Sequence, residues 1–92
     1  MKNRRNKMVE LIDRATQELK PDTAQFKVLT YLAFRGASLP GAISEETGIA
    51  SGTVRPALRS LLDKGYVKQM VDGTYKSTIP FTDFVSFVFS KK

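Results

Sequence analysis

The sequence predicts a mainly α-helical domain finished by a small β-hairpin, an α+β winged helix-turn-helix with extra N- and C-terminal helices. Three observations carry this reading. Four successive segments repeat apolar residues at three- and four-residue steps, the spacing of one helix face. The third and fourth are separated by little more than Gly48-Ile49-Ala50. The period then changes, and Asp72-Gly73 stands between two runs of strand-forming residues as a two-residue hairpin turn would.

The first helix is expected over about residues 6–20, with Met8, Leu11, Ile12, Ala15 and Leu19 in one stripe. Asn3 or Asn6 would cap it, and Pro21 closes it. Asp22 is placed to accept from the Gln25 amide and so to open the second helix. That helix turns Phe26, Leu29, Leu32 and Ala33 to one face and ends near Phe34, where Arg35-Gly36 supplies a glycine for the left-handed backbone of a helix end. Ser38 is the cap candidate for a short third helix over about residues 40–47. Ala42, Ile43 and Thr47 would point inward there, and Gly48 stops it.

The fourth helix runs to about Lys64 and is stopped by Gly65. A cap at Ser51 would leave Pro56 beyond the first turn, forfeiting a hydrogen bond. A cap at Thr53 places Pro56 where amides have no intrahelical partner anyway. The later start is therefore expected, with Ser51 and Gly52 in the turn. Residues 66–71 and 74–78 form the strands. Pro80 suits a first helical turn. Phe81, Phe84, Val85 and Val88 then fall at i, i+3, i+4 and i+7, which favours a helix, although Val85, Phe87 and Phe89 also alternate as a strand would.

Ninety-two residues make one domain. Within it, a basic arm and helix occupy 1–20, the winged-helix core 22–78 and an apolar segment 79–92. No apolar run nears the roughly 18 residues that span a bilayer. The basic start, Met1 to Lys7, is not followed by the apolar stretch of a secretory signal. The absence of cysteine fits a reducing compartment, so a cytoplasmic location is expected. Without Cys or His, the chain lacks the commonest zinc ligands and the commonest general base. Glu45-Glu46, the one adjacent acidic pair, diverges by about 100° on a helix. No catalytic residue, metal or cofactor is expected.

Fifteen Lys and Arg against nine Asp and Glu give a net charge of +6, which points to a polyanionic partner. On a helical wheel of residues 51–64, Val54, Ala57, Leu58, Leu61 and Leu62 share one arc. Arg55, Pro56, Arg59, Ser60 and Asp63 face away. A helix-turn-helix presents the first half of its second helix to the DNA major groove. Thr53, Arg55, Pro56, Arg59 and Ser60 are therefore the expected base-facing residues. Arginine can donate two parallel hydrogen bonds to guanine. Ser51 and Gly52 at the helix start suit a phosphate oxygen, as do Lys68 and Lys76 on the wing. Lys2, Arg4, Arg5 and Lys7 offer a flexible phosphate-gripping arm.

The stretch Ser44-Glu45-Glu46-Thr47-Gly48-Ile49-Ala50-Ser51-Gly52-Thr53-Val54 resembles the helix-turn-helix joint of the MarR and PadR groups. Residues 51–67, with Pro56 in the reading helix and the Leu58, Leu61, Gly65-Tyr66-Val67 tail, are especially similar to PadR-type transcriptional regulators. The resemblance spans about residues 26–78. It implies double-stranded DNA as the partner and repression by occupying a promoter as the action. Arg55 stands where the PadR pattern has an aromatic, and Gly41-Ala42-Ile43 shortens its preceding motif. The long C-terminal region of larger members has no counterpart beyond Ile79, and no small-molecule effector is expected.

The apolar end segments exceed what a small core needs, which points to a homodimer through Met8, Leu11, Ile12, Phe81, Phe84, Val85 and Val88. Two rival functions use the same fold: a protein-interaction module within a larger transcription or replication assembly, and a non-specific architectural binder.

Overall fold

In a computed structural model, which describes residues 4–20, 22–83 and 85, four helices precede a hairpin. They are α1 (Arg4–Glu18), α2 (Ala24–Arg35), α3 (Pro40–Thr47) and α4 (Ser51–Lys64), followed by β1 (Val67–Gln69) and β2 (Tyr75–Ser77). The expected α+β winged-helix architecture is the one observed. No helix among the described residues is long and apolar enough to cross a membrane.

Each apolar stripe closes on the same core. Ile12, Ala15 and Leu19 from the α1 segment meet Val28, Leu29 and Leu32 of α2, Ile43 of α3, and Val54, Ala57, Leu58 and Leu61 of α4. Tyr66, Val67 and Ile79 complete it from the hairpin side. The principal seam is α2 against α4. Ile12 is 1% exposed and so has no surface left to offer a second chain. Leu11 is half-buried against the same core. Two expected inward residues are instead exposed: Ala42, and Leu62 at 38%.

Helix ends depart from the expected caps in a consistent way. Arg4, Arg5 and Lys7 belong to α1 rather than to a flexible arm, and Asn6 lies inside the helix instead of capping it. Thr23, not Asp22, caps α2: its hydroxyl accepts from the Phe26 amide at 3.3 Å and donates to the Lys20 carbonyl at 2.7 Å. Ser38 does not cap α3, whose N-cap is Leu39 with Pro40 following. Its backbone instead pairs with Tyr75, amide to carbonyl at 3.0 Å and back at 2.8 Å. This rung flanks β2 on the side opposite β1.

The start of α4 is also earlier than expected. The Ala50 carbonyl accepts from both the Thr53 and Val54 amides, at 2.8 and 3.0 Å, so the first turn closes at Ser51 without a side-chain cap. Pro56 thus lies inside the helix. A proline there removes one ladder bond and costs about 3 kcal/mol, which the buried seam must offset.

The hairpin pairs Val67 with Ser77, Lys68 with Lys76, and Gln69 with Tyr75. Its turn has three residues rather than two: the Met70 amide donates to the Thr74 carbonyl at 2.7 Å, enclosing Val71-Asp72-Gly73. The Gly73 amide donates to the Met70 carbonyl, and Gly73 takes φ +91°, the conformation that closes such loops. Beyond the hairpin, residues 81–83 and 85 are helical, and Phe87 and Phe89 of the alternative strand lie outside the described residues. The side chain of Met8, and residues Phe84 and Val88, lie outside the described residues.

Leu58, 1% exposed at the centre of the seam, should cost about 2–5 kcal/mol when replaced by alanine. Leu62→Ala should cost well under half of that. Urea unfolding of the two variants checks the difference, and equal losses would contradict the observed rotation of α4.

Candidate nucleic-acid interface

The joint between α3 and α4 is built from short polar side chains. Gly48 adopts the left-handed conformation (φ 78°, ψ 3°) and donates to the Ser44 carbonyl at 3.0 Å. The Thr47 hydroxyl donates to the Ile43 carbonyl at 2.6 Å and accepts from the Ile49 amide at 3.2 Å. The Ser44 hydroxyl donates to the Ile49 carbonyl at 2.6 Å. These bonds fix the angle at which α4 leaves the joint. They were not anticipated for Ser44, although both hydroxyls lie in the motif that carried the family likeness.

The rotation of α4 follows from its buried stripe. With Val54, Ala57, Leu58 and Leu61 inward, Ser51, Gly52, Thr53, Arg55, Pro56 and Arg59 are exposed and Ser60 is half-exposed. Neither Arg55 nor Arg59 has an acidic partner among the described residues. Both line a concavity between α4 and the wing, together with Pro40, Leu58, Leu62, Asp63, Gln69 and Tyr75. A shallower hollow on the other flank of the helix is formed by Arg55, Pro56, Arg59, Ser60 and Asp63. Arginine is thus available on both sides of the exposed ridge.

Strand register divides the wing residues. Gln69 and Tyr75 share the face of the buried pair Val67 and Ser77, and that face turns toward α4. Lys68 and Lys76 are exposed on the opposite face, directly across from one another. The structure therefore brings Gln69, rather than either lysine, beside Arg55 and Arg59. At the tip, Asp72 accepts from the Thr74 hydroxyl at 2.7 Å and the Thr74 amide at 3.0 Å. These bonds, the hydroxyl's first, hold its carboxyl below the usual carboxylate range. The wing tip is firmly anionic at neutral pH.

The far end of α4 is held by a contact between distant parts of the chain. Tyr66 is buried, and its hydroxyl donates to Glu18 at 2.8 Å and accepts from Arg14 Nε at 3.1 Å. Arg14 Nη2 also donates to the Lys64 carbonyl at 3.3 Å, placing a cation at the negative end of the helix dipole. The bond to Tyr66 keeps the Arg14 guanidinium above its already high ordinary pKa. Burial, above all, pushes the Tyr66 hydroxyl up; its bond to Glu18 adds to this and the Arg14 bond opposes it. Arg14 and Glu18 stand one helical turn apart, but no spacing rule in the sequence joins either to Tyr66.

Helix, tight turn, helix and wing define a winged helix-turn-helix domain. The IclR helix-turn-helix domain family matches residues 26–70, from the first turn of α2 to the end of β1. The crystal structure of the transcriptional regulator Tm0710 from Thermotoga maritima shares the fold, with a TM-score of 0.61 and 25% sequence identity. That likeness covers 94% of this chain, which spans 65% of the regulator's length. No curated protein matches the sequence.

Because Tyr66 has a raised pKa, its contribution to stability is complete below the ordinary tyrosine value of about 10. It is lost as pH rises through the higher folded-state value. Thermal unfolding of wild type and Tyr66→Phe between pH 8 and 11 should show the gap narrowing only at the alkaline end. A gap independent of pH would contradict the contact.

Proposed function

We propose that this chain is a sequence-specific, double-stranded DNA-binding regulator of transcription that represses by occupying a promoter. The observation that carries this is the pair of outward arginines, Arg55 and Arg59, on the second helix of the helix-turn-helix, without acidic partners among the described residues and flanking one exposed ridge. A ridge of that width enters the major groove, and arginine there reads guanine. Thr53, Pro56 and Ser60 border the bases. The Ser51 and Gly52 amides, heading α4 and having no carbonyl one turn back, receive a phosphate.

Gln69 joins the base-proximal group because it shares the concavity with both arginines. Lys68 and Lys76, on the outer face of the hairpin, act through phosphate charge. The anionic Asp72 keeps the tip itself from riding deep in a phosphate-walled groove. This reading includes one self-contained domain, the finer kinship to the PadR or MarR groups, a cytoplasmic setting and no enzymatic activity.

A homodimer is part of the same proposal, since two reading helices about 34 Å apart match successive turns of a near-palindromic site. Among the described residues its surface centres on Phe81 and Val85. It gains Phe34, which is 65% exposed and meets Phe81 edge-to-face at 5.1 Å between ring centres. That exposed aromatic pair is also what favours the second reading, a module that binds another protein.

Gel shifts on random-sequence duplexes at about 50 mM salt should show binding that weakens steeply as salt rises. Arg59→Ala should lose preference among sequences, with about tenfold less discrimination at one position. Lys76→Ala should weaken all duplexes alike and flatten the salt dependence. Absence of any duplex affinity, with Phe34→Glu abolishing capture of a protein partner, would replace the DNA reading by the second one.

A further inference from the structure

Two helix-weakening residues stand one turn apart on the exposed ridge of α4, and the chain's own packing explains neither. Gly52 has an ordinary negative φ, and a Cβ built there meets nothing within 4 Å, so an alanine would fit. Pro56 is exposed inside the helix and is not one of the side chains of the buried seam. Local rules broken without a packing reason concentrate at functional positions.

Both irregularities act on the same atom. In a regular helix the amide of residue 56 would donate to the carbonyl of residue 52. Pro56 has no amide hydrogen, so the Gly52 carbonyl loses its regular donor, and the proline ring tilts that carbonyl away from the axis. No hydrogen bond from outside the helix reaches it among the described residues. Gly52 is exposed and brings no side chain to the ridge beside its carbonyl. The ridge around it is otherwise rich in donors, since Arg55 and Arg59 donate only.

We infer that the Gly52 carbonyl is a sequence-reading acceptor, freed by Pro56 and uncovered by Gly52. It takes a hydrogen bond from the exocyclic amino group of an adenine or cytosine in the major groove. These two amino groups are the donors that base edges present there. The arginines select guanine, while the carbonyl selects an amino-bearing base one or two steps away. The inference rests on the DNA reading above and deepens it.

The test compares wild type, Pro56→Ala and Gly52→Ala on duplexes selected by the wild type from a random pool. At each adenine or cytosine of the bound site, the base is replaced by its analogue lacking only the exocyclic amino group. Wild type should lose about fivefold in affinity at one position, the worth of one hydrogen bond. Pro56→Ala regains the ladder bond, so it should melt higher by roughly 4 °C or more. It should bind the natural and analogue duplexes equally at that position. Gly52→Ala should also melt higher and show a reduced loss at the same position. If Pro56→Ala keeps the wild-type sensitivity to the missing amino group, or wild type is indifferent to it everywhere, the inference is overturned while the DNA reading stands. Failure of wild type to select any duplex overturns both.

Discussion

The seam between α2 and α4 is the constraint from which the rest of the surface follows. Four buried side chains on α4, Val54, Ala57, Leu58 and Leu61, leave the helix one rotation about its axis. A large rotation would expose part of this stripe and carry an arginine toward the core, where its charge has no partner. The outward direction of Arg55 and Arg59 is therefore a by-product of apolar packing. The joint at Ser44, Thr47 and Gly48 then sets where α4 begins, and the contact of Arg14 with Tyr66 and Lys64 holds where it ends.

Features that depend on burial were legible in the sequence, because periodicity records burial directly. The four helices, most of their inward faces and the exposed arginines follow from spacing, while Ala42 and Leu62, expected inward, are exposed and Val28, not expected, is buried. Features that depend on single hydrogen bonds were not. Asp22 and Thr23 are both good caps and sit side by side, so only the path of the backbone selects Thr23. The start of α4 differs from the expected one for a similar reason: side-chain caps leave a signature in sequence, whereas the Ala50 carbonyl, which closes the turn, leaves none. The missing amide hydrogen of Pro56 favours a shorter helix, whereas the structure keeps Pro56 inside α4 and forgoes one ladder bond.

Long-range contacts were the second gap. Ser38 looks like a cap, but it bridges to Tyr75, far along the chain. Once that rung is in place, the faces of the hairpin are fixed, and Gln69 rather than Lys68 comes to lie beside the arginines. Charge alone points to the lysines, while the one-residue alternation of a strand decides which side chains meet the helix. The candidate site was thus legible on α4 and only partly so on the wing.

The outer face of the hairpin has a consequence for the protein in concentrated solution. β2 is flanked by β1 on one edge and the Ser38 rung on the other, so among the described residues β1 is left as the open margin of the sheet. An open strand margin invites identical margins from neighbouring molecules, the first step toward sheet growth and aggregation. Here that margin is three residues long and carries Lys68, directly opposite Lys76. Stacking a second hairpin there would bring further like charges together at strand spacing. The lysine pair therefore guards colloidal stability, whatever else it touches.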